Sequence, residues 1–228
     1  MVTNRSVGRP FDAEQQAVSV AEMQLARIAE VGCAGHSHLA ALIEGSGVNS
    51  GRDLADAIHL LCALHGRPPA MVEVAYSRAD GAAREWLKRA SDAFERERLF
   101  LVQLTSAVGP IPSTPGAAET EAALLAQRNA IEILALSERR GCALGAATAL
   151  VGDWVPLRRL LDRAASRAGI HCPATSLPDQ DSVSWVIGAG CDTPASERAL
   201  GFGAEQLLLQ HRGLFNLLEA RAEARAEY

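Results

Sequence analysis

The sequence predicts an all-α protein that folds as a single-domain bundle of about six or seven helices, with one long loop that contains Pro and Gly. The first supporting observation is composition, since 48% of the residues are hydrophobic but only 4% are aromatic. Most of the hydrophobic residues are Ala and Leu, the strongest apolar helix formers. The second is that segments between Gly and Pro residues repeat apolar side chains at a period of about 3.6. The third is that no internal repeat or shift in composition divides the chain.

The overall charge and the cysteines restrict the partners and the compartment that we expect. The chain has 22 basic and 27 acidic residues, a net charge of -5, and its arginines are spread along the sequence. We therefore expect no nucleic-acid partner. The five cysteines form no CxxC pair, which argues against a disulfide framework or a zinc site and favours a reducing cytoplasm. The sequence shows no signal peptide and no apolar stretch of about 18 residues, so no membrane partner is expected.

Capping and stop signals predict five helical segments in the first half of the chain. Their expected bounds are 13–31, 37–44, 50–65, 71–76 and 80–108. Asp12 with Gln15 forms the capping pattern of the first segment, and Gly66 ends the third. The residues before these helices, 1–11, are predicted to be a flexible N-terminus.

Three prolines within residues 109–116 predict a rigid connector, because proline lacks an N–H and restricts the residue before it. The next helix is expected to begin at Thr114–Pro115 and to run to Val151, where Gly152–Asp153 interrupts it. The bundle domain, residues 12–221, then continues with a helix over 154–168, a loop over 170–193 and a last helix from Thr193 to Arg221. The loop is long enough to be a packed Ω-type loop, a short hairpin or a functional lid. Residues 222–228 are predicted to be a frayed tail, because glutamates recur there at a spacing of four and repel each other.

Small side chains dominate the segment 141–147, which reads Gly-Cys-Ala-Leu-Gly-Ala-Ala. On a helix, such a face lets a second backbone approach closely. No strand precedes the segment and no Lys-Ser or Lys-Thr follows it, so it does not resemble a phosphate-binding loop. We therefore predict tight helix packing at this segment.

Two ionisable side chains lie in the middle of apolar helix faces. His211 lies on the apolar stripe of the last helix, and Glu97 lies on that of the fifth predicted helix. A buried carboxylate must be paired, hydrogen-bonded, metal-bound or protonated. If the two helices are neighbours, Glu97 and His211 meet in the core, with Arg128 or Arg139 as further partners. His65 falls in the last turn of its helix, where the helix dipole favours an imidazolium, so a capping role is predicted for it.

Further charges fall on the helix that is predicted to follow the connector. Arg128, Glu132 and Arg139 share one side of it, at spacings of four and seven residues. The other sides of this helix are also apolar, which predicts a central helix with embedded charges. The candidate ligand-binding residues are Glu97, Arg128, Glu132, Arg139 and His211.

The sequence shows no signature of catalysis. It contains no Glu-x-x-His pair of the kind that di-iron bundles use, no Gly-x-Ser-x-Gly and no His-Glu-x-x-His. We therefore assign no catalytic residue, no metal ligand and no cofactor, and whether the protein is an enzyme stays open.

Two segments of the sequence resemble a known group of proteins. They are Gly-Pro-Ile-Pro-Ser-Thr-Pro-Gly at 109–116 and Arg-Gly-Cys-Ala-Leu-Gly-Ala-Ala at 140–147, followed by Asp153–Trp154. Together they are similar to an uncharacterised family of bacterial, chiefly alphaproteobacterial, all-helical proteins. The resemblance covers about residues 80–170 and implies no activity, cofactor or site residue.

The sequence leaves two functions open. One is an interaction or regulatory protein that self-associates through Ala- and Leu-rich helix faces, with the buried charges as internal ion pairs. The other is a helical bundle that binds a small ligand or a metal ion in a pocket lined by Glu97, Glu132, His211 and an arginine.

Overall fold

The structure, a computed structural model, describes residues 10–45, 47 and 49–227, with side chains from residue 20 onward. It is 80% helix, and the described residues form no strand. The all-α class is confirmed, while the nine α-helices of this part of the chain exceed the six or seven that were predicted. In chain order they are α1 (Pro10–Val31), α2 (Ser37–Glu44), α3 (Ser50–His65), α4 (Met71–Arg78), α5 (Gly81–Ala107), α6 (Ala117–Ala135), α7 (Cys142–Ala168), α8 (Gln180–Gly190) and α9 (Pro194–Ala226), with a short 3-10 turn at Cys33–Gly35.

The central contact of the fold is the packing of α7 along α9. A Cβ atom added at Gly145 would lie 2.0 Å from the carbonyl oxygen of Leu200, and one added at Gly203 would lie 2.0 Å from that of Cys142. The two backbones therefore touch at positions that only glycine permits. The predicted packing of the small-residue segment 141–147 is confirmed.

A large apolar core surrounds α7. Its largest fully buried side chains include Trp86, Trp154, Phe94 and Phe215. Helix α7 contacts both α5 and α9, which do not contact each other within the described chain. Polar groups on α7 are therefore placed between two helices that have no direct contact.

The helix break predicted at Gly152–Asp153 is wrong. The chain turns earlier, at residues 136–141, and α7 then continues without interruption to Ala168, through Gly152 and even Pro156. Gly141, the N-cap of α7, has a φ of 95°, a conformation that favours glycine. Gly152 instead packs against Ile28, since an added Cβ would lie 3.0 Å from its side chain. Tertiary packing therefore overrides the local tendency of these residues to end a helix.

The predicted loop at residues 170–193 contains a helix, α8. The Asp179 side chain accepts a hydrogen bond from the backbone N–H of Ser182 and caps α8. Trp86 donates its Nε1–H to Ser182 Oγ at 2.8 Å, which ties α8 to α5. The two glycines at the end of α8 obscured its short apolar pattern in the sequence.

The first and the last helix are both longer than the sequence predicted. Helix α9 continues to Ala226, beyond the predicted end at Arg221, so residues 222–226 belong to the last helix. Helix α1 begins at Pro10 rather than residue 13. The rest of the predicted flexible N-terminus, residues 1–9, lies outside the described residues. None of the described helices is both long and apolar enough to cross a membrane.

Candidate functional site

Four polar side chains form a continuous hydrogen-bonded chain in the interior. His65 in the last turn of α3 contacts His211 of α9, with 3.1 Å between the two Nε2 atoms. His211 Nδ1 lies 2.7 Å from Oδ2 of Asp153 on α7. Asp153 Oδ1 accepts the backbone N–H of Cys33 at 2.8 Å. We call this set, His65, His211, Asp153 and Cys33, the relay. It links α3, α9, α7 and the 3-10 turn.

Cys33 acts in the relay as a donor. Its Sγ lies 3.3 Å from Asp153 Oδ1, and burial, followed by the charge of Asp153, raises the pKa of the Cys33 thiol. A thiol in this state stays protonated and is not a nucleophile. The close approach is possible because residue 32 is glycine, where an added Cβ would lie 2.4 Å from Asp153 Oδ1.

The hydrogen bonds of the relay determine which ring nitrogens carry protons. Because Nδ1 of His211 faces the Asp153 carboxylate, it carries the proton, and a neutral His211 then accepts at Nε2. His65 therefore donates its Nε2–H to His211. Burial, followed by the proximity of His211, lowers the pKa of His65 well below its ordinary value. His65 is thus neutral near pH 7, and its Nδ1 remains for another group.

His65 also lines a cavity of about 180 Å³ at the end of α3. Helices α4 and α6 and the segment between α3 and α4 complete the walls. Arg67, Arg128 and Glu132 supply the charged part of the lining, and Met71 and Ile131 belong to its apolar part. The relay therefore ends at a space that contains two arginines and one carboxylate.

Glu97 belongs to a different network. Its Oε2 accepts the Trp154 Nε1–H at 3.1 Å, and its Oε1 accepts from Arg158 Nη1 at 2.7 Å. Arg158 also donates to Asp162 Oδ1 at 2.7 Å and to the carbonyl oxygen of Pro173. Glu97 is only 2% exposed, and these bonds give both of its carboxylate oxygens a donor within the protein.

The ring of Trp154 lies between the Glu97 network and the relay. Its Nε1 contacts Glu97, and its ring packs edge-on against His65, with centroids 5.4 Å apart. Glu97 and His211 are both buried, as expected, but they do not meet, because α5 and α9 are not neighbours.

The structure separates the other sequence-predicted site residues into two groups. Arg128 and Glu132 line the cavity together with His65, which bonds His211. Arg139 does not take part, because α6 ends at Ala135 and leaves Arg139 in an exposed turn. There its guanidinium carbon lies 5.7 Å above the Phe202 ring. The predicted central helix with embedded charges is therefore wrong, and Glu132 itself is exposed.

Sequence reasoning missed Asp153 and Arg158. Asp153 was hidden by the assumption that the helix breaks at Gly152–Asp153, which made it a capping residue. On an unbroken helix, Asp153 and Leu157 share one buried side, so a continued period of 3.6 was the available signal for Asp153. Arg158 lies five residues after Asp153, about 140° around the helix, and contacts Glu97 on α5 instead. His65 was placed correctly in the last turn of its helix, but its predicted role as a charged cap is wrong, because burial lowers its pKa and its Nε2 bonds His211. Its bond to His211 depends on tertiary structure.

A third charged network joins α9 to α3. Asp56, which is 0% exposed, accepts from Arg221 Nε at 2.9 Å and Nη2 at 2.8 Å, and from Arg225 Nη1 at 2.6 Å. Arg225 also donates to Asp53 at 2.8 Å and to Thr114 Oγ1 at 2.8 Å. This network anchors the last two turns of α9.

The family of unknown function DUF6975 has a family model that matches residues 28–226 of this chain. The match extends well beyond residues 80–170, where the resemblance was expected. No curated protein and no solved structure matches the chain. Among the described residues, no three His, Cys, Asp or Glu side chains are grouped so that they would hold a metal ion.

Proposed function

The chain belongs to DUF6975, and we propose that it binds a small carboxylic acid in the cavity beside His65. The observation that carries this proposal is that His65, the end of the relay, lines the same cavity as Arg128 and Arg67. Arginine binds a carboxylate through two parallel N–H donors. A fixed, neutral imidazole beside it accepts a hydrogen bond from a hydroxyl or amino group of the ligand.

The size of the cavity limits the ligand. Its volume of about 180 Å³ lies below the range of roughly 300–1,000 Å³ that is typical of pockets for larger ligands. The cavity therefore suits an acid of a few carbon atoms. The Glu132 carboxylate accepts from a hydroxyl or amino group, so a small hydroxy acid or amino acid fits the lining best.

The arrangement of charges supports binding more than covalent catalysis. The described lining of the cavity contains no Ser, Thr, Cys or Lys side chain, so it offers no hydroxyl, thiol or amine nucleophile. The relay orients His65 as a carboxylate orients a histidine in many active sites. In this protein we propose that the relay holds the His65 ring in one tautomer for the ligand.

The test is direct binding of lactate, glycerate, serine and malate to the purified protein, measured by isothermal titration calorimetry. We expect at least one to bind, and Arg128→Gln to weaken that binding by about tenfold or more, a loss of roughly 1.4 kcal/mol. Arg139→Gln is the matched control, because Arg139 lies outside the cavity. Equal weakening by both variants, or no binding by any of the four acids, contradicts the proposal.

Self-association is the second candidate function. Large apolar side chains are exposed at the end of α6, where Leu136 is the C-cap, and on α9, namely Ile133, Leu136, Phe202 and Leu209. The two helices are adjacent, since Gln127 Nε2 donates to the carbonyl oxygen of Gln210 at 3.2 Å. A second copy of the chain that covers this surface removes the exposed apolar area from water. We call this set of four residues the α6–α9 surface.

We also propose a bacterial cytoplasmic location. The five cysteines are all free in the structure, and free thiols persist in a reducing compartment.

A further inference from the structure

A second and larger cavity, of about 590 Å³, lies between the start of α3, the connector after α5, and the ends of α7 and α9. Three arginines line it: Arg52, Arg167 and Arg225. No acidic side chain occurs in its described lining. The volume lies within the range of small-molecule sites. This cavity is separate from the one beside His65 and shares no lining residue with it.

One N–H donor of Arg225 lacks a hydrogen-bond acceptor among the described residues. Its side chain is 5% exposed, and its Nη atoms donate to Asp53, Asp56 and Thr114. Its Nε is buried and has no hydrogen-bond partner among the described residues. An unpartnered buried N–H is costly, so Arg225 gains from any shift of its side chain that brings this Nε to an acceptor in the cavity.

Arg52 and Arg167 provide the positive charge of this cavity. Arg221 and Arg225 are balanced by Asp53 and Asp56 in the network described above. Arg52 and Arg167 are exposed and form no ion pair with the described residues, so their charges are available to a ligand. The cavity therefore attracts an anion.

The first turn of α3 adds to this attraction. Asn49, at the N-cap, makes no side-chain capping bond within the described residues, and the cavity is lined by Asn49, Gly51 and Arg52. The N–H groups of Ser50, Arg52 and Asp53 are already bonded to the carbonyl oxygens of Gly47 and Asn49, so this end of α3 favours an anion through the helix dipole rather than through these donors. Gly51 lets the guanidinium of Arg167 lie against this turn, since an added Cβ would be 2.4 Å from Arg167 Nη2.

The connector after α5 contributes the apolar part of the lining. Val108, Pro110, Ile111 and Pro112 form it, and the Ile111 side chain is 53% exposed. An inorganic ion leaves this wall uncovered, whereas an organic group attached to the anion covers it. From the arginines, the unpartnered Nε and the apolar wall, we infer that the cavity binds the phosphate monoester of a small organic molecule. The phosphate lies on the arginine side, and the organic group lies on Ile111.

The test compares phenyl phosphate with inorganic phosphate in calorimetric titrations of the full chain at low salt. Phenyl phosphate is expected to bind about tenfold more tightly, because it also covers the apolar wall. Arg167→Gln is expected to weaken phenyl phosphate binding by tenfold or more. Arg159→Gln is the matched control, since Arg159 is an exposed arginine on the same helix and lines no part of this cavity.

A second variant separates a lost site from a damaged fold. Gly51→Ala changes no charge and requires only the mobile end of Arg167 to move, so the melting temperature should not fall while phenyl phosphate binding weakens. Arg128→Gln, in the other cavity, should leave this binding unchanged, so the two proposals fail independently. If the affinity for phenyl phosphate is unchanged in both Arg167→Gln and Gly51→Ala, the cavity is not the binding site. Equal affinities of phosphate and phenyl phosphate overturn the assignment of an ester.

Discussion

Nε2 of His65 lies 3.1 Å from Nε2 of His211 in the interior of the bundle. Only one of these nitrogens carries a proton in the neutral pair, and the Asp153 carboxylate at the other side of His211 decides which one. An added proton would make one ring of the pair a buried imidazolium beside the other, and burial disfavours that charge. Because of this geometry, we expect the relay to lose stability in acid.

Acid should destabilise the protein through His65. The pKa of His65 in the folded state is lowered by burial and by His211, below the unfolded value of about 6.5. The unfolded state therefore binds more protons as pH falls below about 6.5, and the contribution of His65 to stability is full above that pH and lost below it. We expect wild-type stability to fall by up to about 1.4 kcal/mol per pH unit in this range. Urea unfolding at pH 7, 6 and 5 measures the slope.

His65→Gln should reduce this slope, because glutamine does not titrate. His171→Gln is the control, since His171 is exposed in the segment between α7 and α8. If His171→Gln flattens the slope as much as His65→Gln does, the acid sensitivity does not come from the relay.

Asp153→Asn should be strongly destabilising. Asp153 accepts from Cys33 N–H and from His211 Nδ1, and an amide directs its NH2 group at one of these donors. Removing one partner of a buried charged hydrogen bond costs on the order of 3 kcal/mol. Asp181→Asn, at an exposed position in α8, should change the free energy of unfolding by less than about 0.5 kcal/mol. Chemical denaturation of both variants would show no difference if Asp153 were merely a capping residue.

Glu97 should be energetically coupled to Arg158 and not to His211. A double-mutant cycle of Glu97→Gln with Arg158→Gln should give a coupling energy above about 1 kcal/mol, because the two side chains are 2.7 Å apart and buried. The cycle of Glu97→Gln with His211→Gln should be additive within about 0.5 kcal/mol, because the Trp154 ring separates the two networks. The reverse ranking of the two coupling energies would mean that Glu97 and His211 form one unit.

Gly145→Ala should disrupt the packing of α7 on α9. The new Cβ would lie 2.0 Å from a backbone oxygen at Leu200, which cannot move unless the helices separate. Overpacking of this kind costs about 1–3 kcal/mol or more. Gly35→Ala is the control, because nothing lies within 4 Å of its added Cβ. A melting temperature for Gly145→Ala equal to that of Gly35→Ala would contradict the close contact.

The α6–α9 surface should hold two copies of the chain together. Light scattering coupled to size exclusion should show a dimer for the wild type and a monomer for Phe202→Glu combined with Leu209→Glu, because a charge desolvated in an interface is costly. Val155→Glu is the control, since Val155 is an exposed apolar residue on α7, at 62%. A wild-type monomer at high concentration refutes self-association.

The sequence by itself determined the helical class and most of the helix positions. Apolar periodicity, caps and prolines are local properties, and they correctly predicted helices α2 and α3, the connector after α5 and the small-residue face of α7. The same periodicity predicted the burial of Glu97 and His211, because a position on an apolar stripe faces the core wherever the stripe packs. It also pointed to Arg128 and Glu132, which line the cavity beside His65.

Only the tertiary structure decided which polar groups meet. Gly152 and Asp153 have strong local tendencies to end a helix, but packing against Ile28 and the bonds of Asp153 keep α7 continuous. That continuity places Asp153 and Arg158 in the core and gives His211 and Glu97 their separate partners. Partner choice depends on which helices are neighbours, and neighbouring helices are selected by the fit of whole faces, a property that no local pattern of residues contains.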